Sequence, residues 1–256
     1  MERGRGPEGQ VGAAPADPAP RCAQKGAEGP AVKIIDFPQG SKEWAQARAG
    51  RVTASCIVDV LSRSRDRKSE GTTRANYKAQ IIAEILTGQP QDDGYTNGYM
   101  DDGIELELLA RAAYEVHTSQ FVDQVGFVVH PRLERSGASP DGLVGAKGMV
   151  QIKCPKPAVH IGYRLAGVVP SKYEPQLAWE LDTCEREWSD FVSYCPVFPA
   201  PINLFVVRQA HNPQRAREIT AEITQFNREV DEIIEKLTGR PVDEYLARLG
   251  MKEAVL

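Results

Sequence analysis

The spacing of apolar residues changes partway along this chain, and that change limits the possible folds more than any other feature of the sequence. Before His117, apolar side chains recur at intervals of three and four, which predicts helices from Arg74 to about Leu86 and from about Met100 to His117. After His117 the repeat shortens towards two, which predicts strands. Helices followed by a mostly antiparallel sheet with flanking helices indicate an α+β, or mixed α/β, fold.

Caps, turns and alternation predict the remaining elements. Ser41 can cap a short helix that ends at Gly50, and a second helix is predicted from about Thr53 through the segment CIVDVLSRS. The other predicted elements are strands at 121–130, 139–145, 149–154, 188–195 and 202–210, and helices at about 171–183 and 213–237.

The two ends of the chain differ in composition. Residues 1–31 are rich in Gly, Pro and Ala and hold few bulky apolar side chains, which predicts a disordered tail. Residues 32–256 are enough for a single domain with one sizeable core. We expect a cytoplasmic protein that does not span a membrane, because neither an apolar run of about 18 residues nor an export leader is visible.

Charge and cysteine usage exclude several classes of protein. The formal net charge is −4, so a polyanion partner would have to be held by a local basic patch. The five cysteines are far apart and form no CxxC pair, which argues against a disulfide framework and against a zinc or iron–sulfur cluster. The four histidines show no metal-ligand spacing.

The stretch GASPDGLVGAKGMVQIKCPK, residues 137–156, predicts a hairpin whose polar side chains converge. A three-residue loop centred on Ala146 places Asp141 directly opposite Gln151. Alternation along the strand puts Gln151 and Lys153 on the same face, and their apolar neighbours point into the core. A slip of one residue would send Asp141 to the other face, so the turn decides whether the three groups meet.

A carboxylate, an amide oxygen and an ammonium together suit phosphodiester hydrolysis. This reaction needs a hard cation such as Mg²⁺, which prefers oxygen ligands, and a lysine nearby can orient the attacking water. The structural alternative is an ordinary Pro-Asp-Gly turn followed by the solvated face of a strand.

Four segments together resemble one known family. Ser-Pro-Asp-Gly, the hairpin and the Lys-Cys-Pro that follows it resemble the PD-(D/E)xK nuclease core, in the form found in the phage lambda exonuclease and YqaJ-type viral recombinase family. The segments EWAQARAGRVTAS, GIELELLARAAYE and KYEPQLAWEL are similar to other parts of that family and occur in the same order, so the resemblance covers roughly residues 38–210.

The resemblance implies a metal site. Asp141, Gln151 and the carbonyl of Ile152 would bind Mg²⁺, with Mn²⁺ as a substitute, and Lys153 would orient the water. The spacing from the start of its segment makes Glu107 the match for a family glutamate that faces the metal, although Glu105 is close by.

The resemblance also implies contacts to DNA. Arg48 and Ser55 match residues that hold the 5′ phosphate of a DNA end, and Gln176 matches a glutamine beside the catalytic lysine. In the family an arginine of the loop that here reads SRSRDRK contacts DNA, and the sequence does not show which of the four basic residues of this loop would do so. They are Arg63, Arg65, Arg67 and Lys68.

A further family arginine, in the helix after Lys153, has no clear match here. The segment reads KPAVHIGYR, and Lys156, His160 and Arg164 are the candidates to replace that arginine.

One departure from the family pattern concerns the metal site directly. The family has an acidic residue where this chain has Gln151, so one negative charge is missing and both metal affinity and water activation should weaken. Two explanations fit: a variant made to hold DNA without cutting it, or a natural homologue with altered metal use or little activity.

The resemblance predicts an exonuclease that digests one strand of linear duplex DNA from a 5′-phosphorylated end and leaves a 3′ overhang for recombination. It further implies a ring-shaped homotrimer and a single-strand annealing protein as partner. The alternatives are a DNA-end-binding homologue with little or no activity, and an endonuclease or junction resolvase on the same core.

Overall fold

Two mixed β-sheets flanked by helices form the core of the protein, in agreement with the predicted fold class. The computed structural model describes residues 32–65, 69–91 and 98–251. The predicted disordered tail lies outside the described residues, as do Arg67 and Lys68. No helix within the described ranges is long and apolar enough to cross a membrane.

Nine strands are described, and they divide unequally between the two sheets. The first sheet has the order β1-β4-β5-β2 and the second the order β3-β6-β7-β8-β9. The strands are β1 (Ile34–Ile35), β2 (Val52–Thr53), β3 (Val122–Asp123), β4 (Phe127–His130), β5 (Leu133–Ala138), β6 (Gly142–Val144), β7 (Gly148–Lys153), β8 (Trp188–Tyr194) and β9 (Leu204–Ala210).

Most strand pairs are antiparallel, as predicted, but β2 with β5 and β7 with β8 are parallel. A parallel pair needs a crossover, and two helices separate β7 from β8 along the chain. The helices are α1 (Lys42–Arg48), α2 (Ile57–Val60), α3 (Thr72–Thr87), α4 (Gly98–Thr118), α5 (Pro157–Ala166), α6 (Glu174–Thr183), α7 (Pro213–Thr238) and α8 (Asp243–Leu246).

The predicted hairpin register is confirmed. Gly142 pairs with Val150 and Val144 pairs with Gly148, so the loop has three residues and Asp141 falls opposite Gln151. Gly145 has a φ of 56°, which suits glycine in a tight turn.

The prediction of one strand over residues 121–130 is wrong. The segment forms β3 and β4, which belong to different sheets. Gly126 explains the break, because a Cβ there would lie 2.3 Å from the carbonyl oxygen of Ile35. The chain passes so close to β1 at this point that one strand ends and another begins.

Two further predictions need correction in the first sheet. The second helix begins at Ile57, because Val52–Thr53 pairs with β5 as a strand and a short 3₁₀ turn follows. Strand β5 itself was not predicted, since its sequence LERSGA is polar. Its polar groups find partners only in the folded chain: Arg135 pairs with Asp231, and Ser136 donates to the Val52 carbonyl.

Helix α6 begins three residues later than predicted, at Glu174, because residues 171–173 form a turn. By contrast, α1 agrees closely with its prediction, and the Ser41 hydroxyl accepts a hydrogen bond from the backbone N–H of Trp44 as the expected cap.

Both faces of the second sheet are covered. Val150 and Ile152 pack with Tyr114 of α4 on one face. On the other face the ring of Phe191, the strand partner of Gln151, lies against Tyr163 and Tyr173. Gln151 is therefore only 2% exposed, which contradicts the alternative that it lies on a solvated strand face.

Candidate active site

A cavity of about 180 Å³ lies where β6 and β7 meet α1 and α6. Six residues predicted from the sequence to form the site line it, although they span most of the described chain. They are Arg48, Ser55, Asp141, Gln151, Lys153 and Gln176.

Asp141 is held by the neighbouring strand. Its Oδ2 atom accepts hydrogen bonds of 2.6 Å from the backbone N–H of Ile152 and from Nε2 of Gln151. The Gln151 amide is thereby oriented, and its Oε1 atom is buried without a hydrogen-bond partner among the described residues. The Oε1 atom of Gln151, one of the oxygen ligands predicted from the sequence, is thus available to a cation.

The pKa of Asp141 is raised to about 6, mainly because burial disfavours the charged form. The charge of Glu107 acts in the same direction, whereas Lys153 and the Ile152 N–H act against it. Lys153 lies at the carboxyl end of β7, and its Nζ is 5.4 Å from the ring centroid of Tyr173. A bound cation would stabilise the charged form of Asp141, which burial disfavours.

Sequence reasoning missed Glu180, which also lines the cavity and is 1% exposed. Its Oε1 accepts a 2.7 Å hydrogen bond from Nε2 of Gln176, and its Oε2 is buried without a partner among the described residues. Burial, together with the charge of Asp141, raises the pKa of Glu180 to about 8. The four-residue spacing from Gln176 was the only available signal, because it places both side chains on one helix face.

Helix α1 brings Arg48 to the cavity. Trp44 anchors this helix to the hairpin, since its Nε1 donates a 3.0 Å hydrogen bond to Ser139. The Arg48 guanidinium lies 4.0 Å from the centroid of the Trp44 ring, and its Nε is buried without a partner among the described residues. Ser55 is exposed, with its hydroxyl 3.2 Å from that of Thr53. An arginine and a hydroxyl therefore both line the cavity.

Glu107 lies beside this cavity and not in its lining. It contributes to an adjoining cavity of about 440 Å³, which Asp141 also lines, and it forms a 2.9 Å ion pair with Arg111. Glu105, the alternative match on the same helix, is exposed and lines neither cavity.

Arg63 and Arg65, the loop arginines within the described residues, are not part of the cavity lining. Arg63 is paired with Glu222 of α7, and Arg65 is exposed. Among the candidates after Lys153, Lys156 is exposed, Arg164 donates to the Leu204 carbonyl, and His160 is fully buried. The ring nitrogens of His160 lie 2.8 Å from the Ser193 hydroxyl and from the Ile202 carbonyl. This bonding explains His160 as part of the core.

Within the described residues, no three His, Cys, Asp or Glu side chains lie together as a group that could hold a metal ion. The cavity does combine carboxylates with the free amide oxygen of Gln151, and this is an all-oxygen set of donors. Such a set suits Mg²⁺ or Mn²⁺ better than zinc or copper.

The fold and the cavity residues place the protein in the PD-(D/E)xK class, which is also the class of its structural neighbours. Residues 43–187 match the family described as the YqaJ-like viral recombinase domain. The chain belongs to this family.

Solved structures show the same relationship. The alkaline exonuclease LHK-Exo from Laribacter hongkongensis is 36% identical, with a TM-score of 0.71, and the match covers 78% of this chain and 97% of that one. LHK-Exo has also been solved in complex with dAMP, with the same degree of similarity. This similarity supports a nuclease function.

A phage-related exonuclease from Haemophilus somnus 129PT is 13% identical, with a TM-score of 0.57 over 73% of this chain and 96% of that one, and it supports the fold alone. No curated protein sequence matches this chain.

Proposed function

We propose that the protein is a Mg²⁺-dependent exonuclease that digests one strand of linear duplex DNA from its 5′ end and leaves a 3′ overhang for recombination. The observation that carries this proposal is the single cavity shared by Arg48, Ser55, Asp141, Gln151 and Lys153. It combines donors for a hard cation, a lysine and a group suited to a terminal phosphate. Membership of a recombinase family and similarity to an exonuclease support it further.

Asp141, the free Oε1 of Gln151 and the Ile152 carbonyl are the groups that would hold Mg²⁺, with Glu107 acting through water. Mn²⁺ would serve as a substitute, since it accepts the same oxygen donors. When bound, the cation supplies a Lewis acid that lowers the pKa of a water and offsets charge on the scissile phosphate.

Lys153 has two tasks on the proposed pathway. As a hydrogen-bond donor it would orient the attacking water, and as a cation it would offset the charge that develops on the phosphate oxygens. It lies at the end of β7 on the same strand face as Gln151, so both groups would face the same bound substrate.

Arg48 and Ser55 would recognise the 5′ phosphate. The Arg48 guanidinium is stacked on Trp44 and retains an unpartnered Nε, so it is preoriented for an anion. A group that binds a terminal phosphate beside the reacting centre favours DNA ends over internal sites.

The direct test uses a linear duplex with a 5′ phosphate on one strand only and a different dye at the 3′ end of each strand. With Mg²⁺ the phosphorylated strand should shorten progressively while its complement stays intact. Lys153→Ala should digest at least about 100-fold more slowly. The nuclease proposal fails if neither the wild type nor Gln151→Glu digests above the Lys153→Ala background.

The other outcomes separate the two remaining candidates. Metal-independent binding to duplex ends without cleavage would identify a DNA-end-binding homologue, a candidate that the neutral Gln151 favours. Cutting of closed circular or branched DNA would identify an endonuclease or junction resolvase.

We further propose a homotrimer and a single-strand annealing protein as partner, both by analogy with the family. Light scattering should give three times the chain mass of 28.1 kDa, and a single-chain mass would exclude the trimer. Co-purification of the protein with a single-strand annealing protein is the corresponding test for the partner.

A further inference from the structure

The cavity holds a second buried carboxylate besides Asp141, one that the family resemblance did not predict. Glu180 is 1% exposed and lies on α6, one turn after Gln176. Gln176 satisfies one of its oxygens with a 2.7 Å hydrogen bond, and the other oxygen is buried without a partner among the described residues.

An arrangement of this kind costs free energy in the absence of a ligand. A buried acceptor without a hydrogen bond loses its hydration and gains nothing in return, and the cost is larger for a carboxylate than for a neutral group. Gln151 Oε1 bears a similar cost in the same cavity. Two unpartnered oxygens and the carboxylate of Asp141 together form a set of oxygen acceptors suited to a cation.

Glu180 also supplies a carboxylate to the cavity, which compensates for the negative charge that the neutral Gln151 lacks. With glutamate at position 151 and a neutral residue at position 180, the cavity would contain two carboxylates on the hairpin. In this chain it also contains two, but one of them comes from α6 instead of β7. The number of negative charges available to a divalent cation is therefore the same.

We propose that Glu180 is a metal ligand that replaces the strand carboxylate missing at Gln151, so that Asp141, the Gln151 amide oxygen and Glu180 hold one hard divalent cation. The proposal rests on the proposed function, because it concerns the same metal site. It implies that the protein can bind the metal ion and digest DNA with glutamine at position 151.

The test is calorimetric titration of Mn²⁺ into the metal-free full-length protein without DNA. Glu180→Gln should weaken Mn²⁺ binding at least about tenfold, because the site loses a charged ligand. The double variant Gln151→Glu/Glu180→Gln returns the carboxylate to the strand and should restore the affinity to within about threefold of the wild type.

Glu174→Gln is the matched control, since it makes the same change on the same helix but outside the cavity, where Glu174 pairs with Arg215. It should leave Mn²⁺ affinity unchanged. Glu180→Asp, which keeps the charge but shortens the side chain, provides a second variant in case Glu180→Gln does not fold.

Wild-type affinity in both Glu180 variants, or no recovery in the double variant, would overturn the assignment of Glu180. If the wild type nevertheless digests DNA with Mg²⁺, the proposed function stands and only this inference fails. If the wild type binds no Mn²⁺ and digests no DNA, both fail.

Discussion

Two carboxylates on helix α6, two residues apart, have opposite environments. Asp182 lies 3.0 Å from the Nε2 of His130, 2.7 Å from Arg132 and 3.2 Å from His211. Two backbone N–H groups donate to the other nitrogen of His130, so Nε2 carries the proton and donates to Asp182. Glu180, by contrast, receives a single hydrogen bond from a neutral amide.

The pKa values of the two groups move in opposite directions. Burial raises the pKa of Asp182, but the hydrogen bond from His130 and the charge of Arg132 outweigh it and hold this pKa below its usual range. Burial raises the pKa of Glu180 to about 8, and Gln176 offsets only part of that effect. One helix thus carries a carboxylate with several internal partners, Asp182, and another, Glu180, with one oxygen that has no partner among the described residues.

The largest effect should follow from removing the cavity carboxylate that the hairpin holds. Asp141→Asn should reduce DNA digestion at least about 100-fold, because it removes charge from the metal site. The fold should persist, since the asparagine oxygen can still accept from the Ile152 N–H. Digestion of the end-labelled duplex and a metal-free melting curve measure the two effects, and digestion at the wild-type rate would contradict the assignment.

Asp182→Asn should affect stability instead of chemistry. It removes the charge that faces Arg132 and His130, and we expect a loss of about 2 kcal/mol in the free energy of unfolding at pH 7. Urea denaturation in EDTA measures this loss. Glu180→Gln is the control: because burial raises the pKa of Glu180 to about 8, this carboxyl is largely neutral at pH 7, and its replacement by a neutral amide should not destabilise the metal-free protein. Equal losses of unfolding free energy in Asp182→Asn and Glu180→Gln would show that the two carboxylates do not differ in their contribution to stability.

The comparison extends to the arginines. Arg132 is committed to Asp182, whereas the Nε of Arg48 has no partner among the described residues. Arg48→Ala should slow digestion from 5′-phosphorylated ends about tenfold and leave ends without the phosphate nearly unaffected. Arg132→Ala, outside the cavity, is the control and should leave digestion of both kinds of end unchanged. An equal loss on both kinds of end would show that Arg48 does not recognise the phosphate.

The smallest effect concerns pH. Because the pKa of Asp182 is lower in the folded protein than in the unfolded chain, its stabilisation is complete above the ordinary aspartate value. It disappears as the pH falls through the folded value. The difference in unfolding free energy between the wild type and Asp182→Asn should therefore be constant near neutral pH and narrow below about pH 4. A difference that widens in acid would show that the shift has the opposite sign.

Local rules were sufficient to predict the hairpin. Turn glycine and alternation fix the register, and the register alone brings Asp141 to Gln151. The same was true of α1, where a serine cap and a terminal glycine mark both ends.

Long-range packing decided what could not be predicted. Glu180 looks like an ordinary helix residue until the fold brings α6 to the hairpin, because Asp141, Gln151 and Lys153 in the same cavity are about 30 to 40 positions away in sequence. Strand β5 is polar because its partners come from α7 and β2, and no local pattern reveals them. The division of residues 121–130 depends on how closely Gly126 approaches β1, which is likewise a tertiary contact.

Thermal melting with and without Mn²⁺ tests most directly whether the cavity, and not the Asp182 cluster, is built to receive a cation. At saturating Mn²⁺ the melting temperature of the wild type should rise by about 5 °C relative to EDTA. Asp182→Asn should start lower and show the same rise, whereas Asp141→Asn should show almost none. An undiminished rise in Asp141→Asn would contradict the account, because the cation would then bind elsewhere.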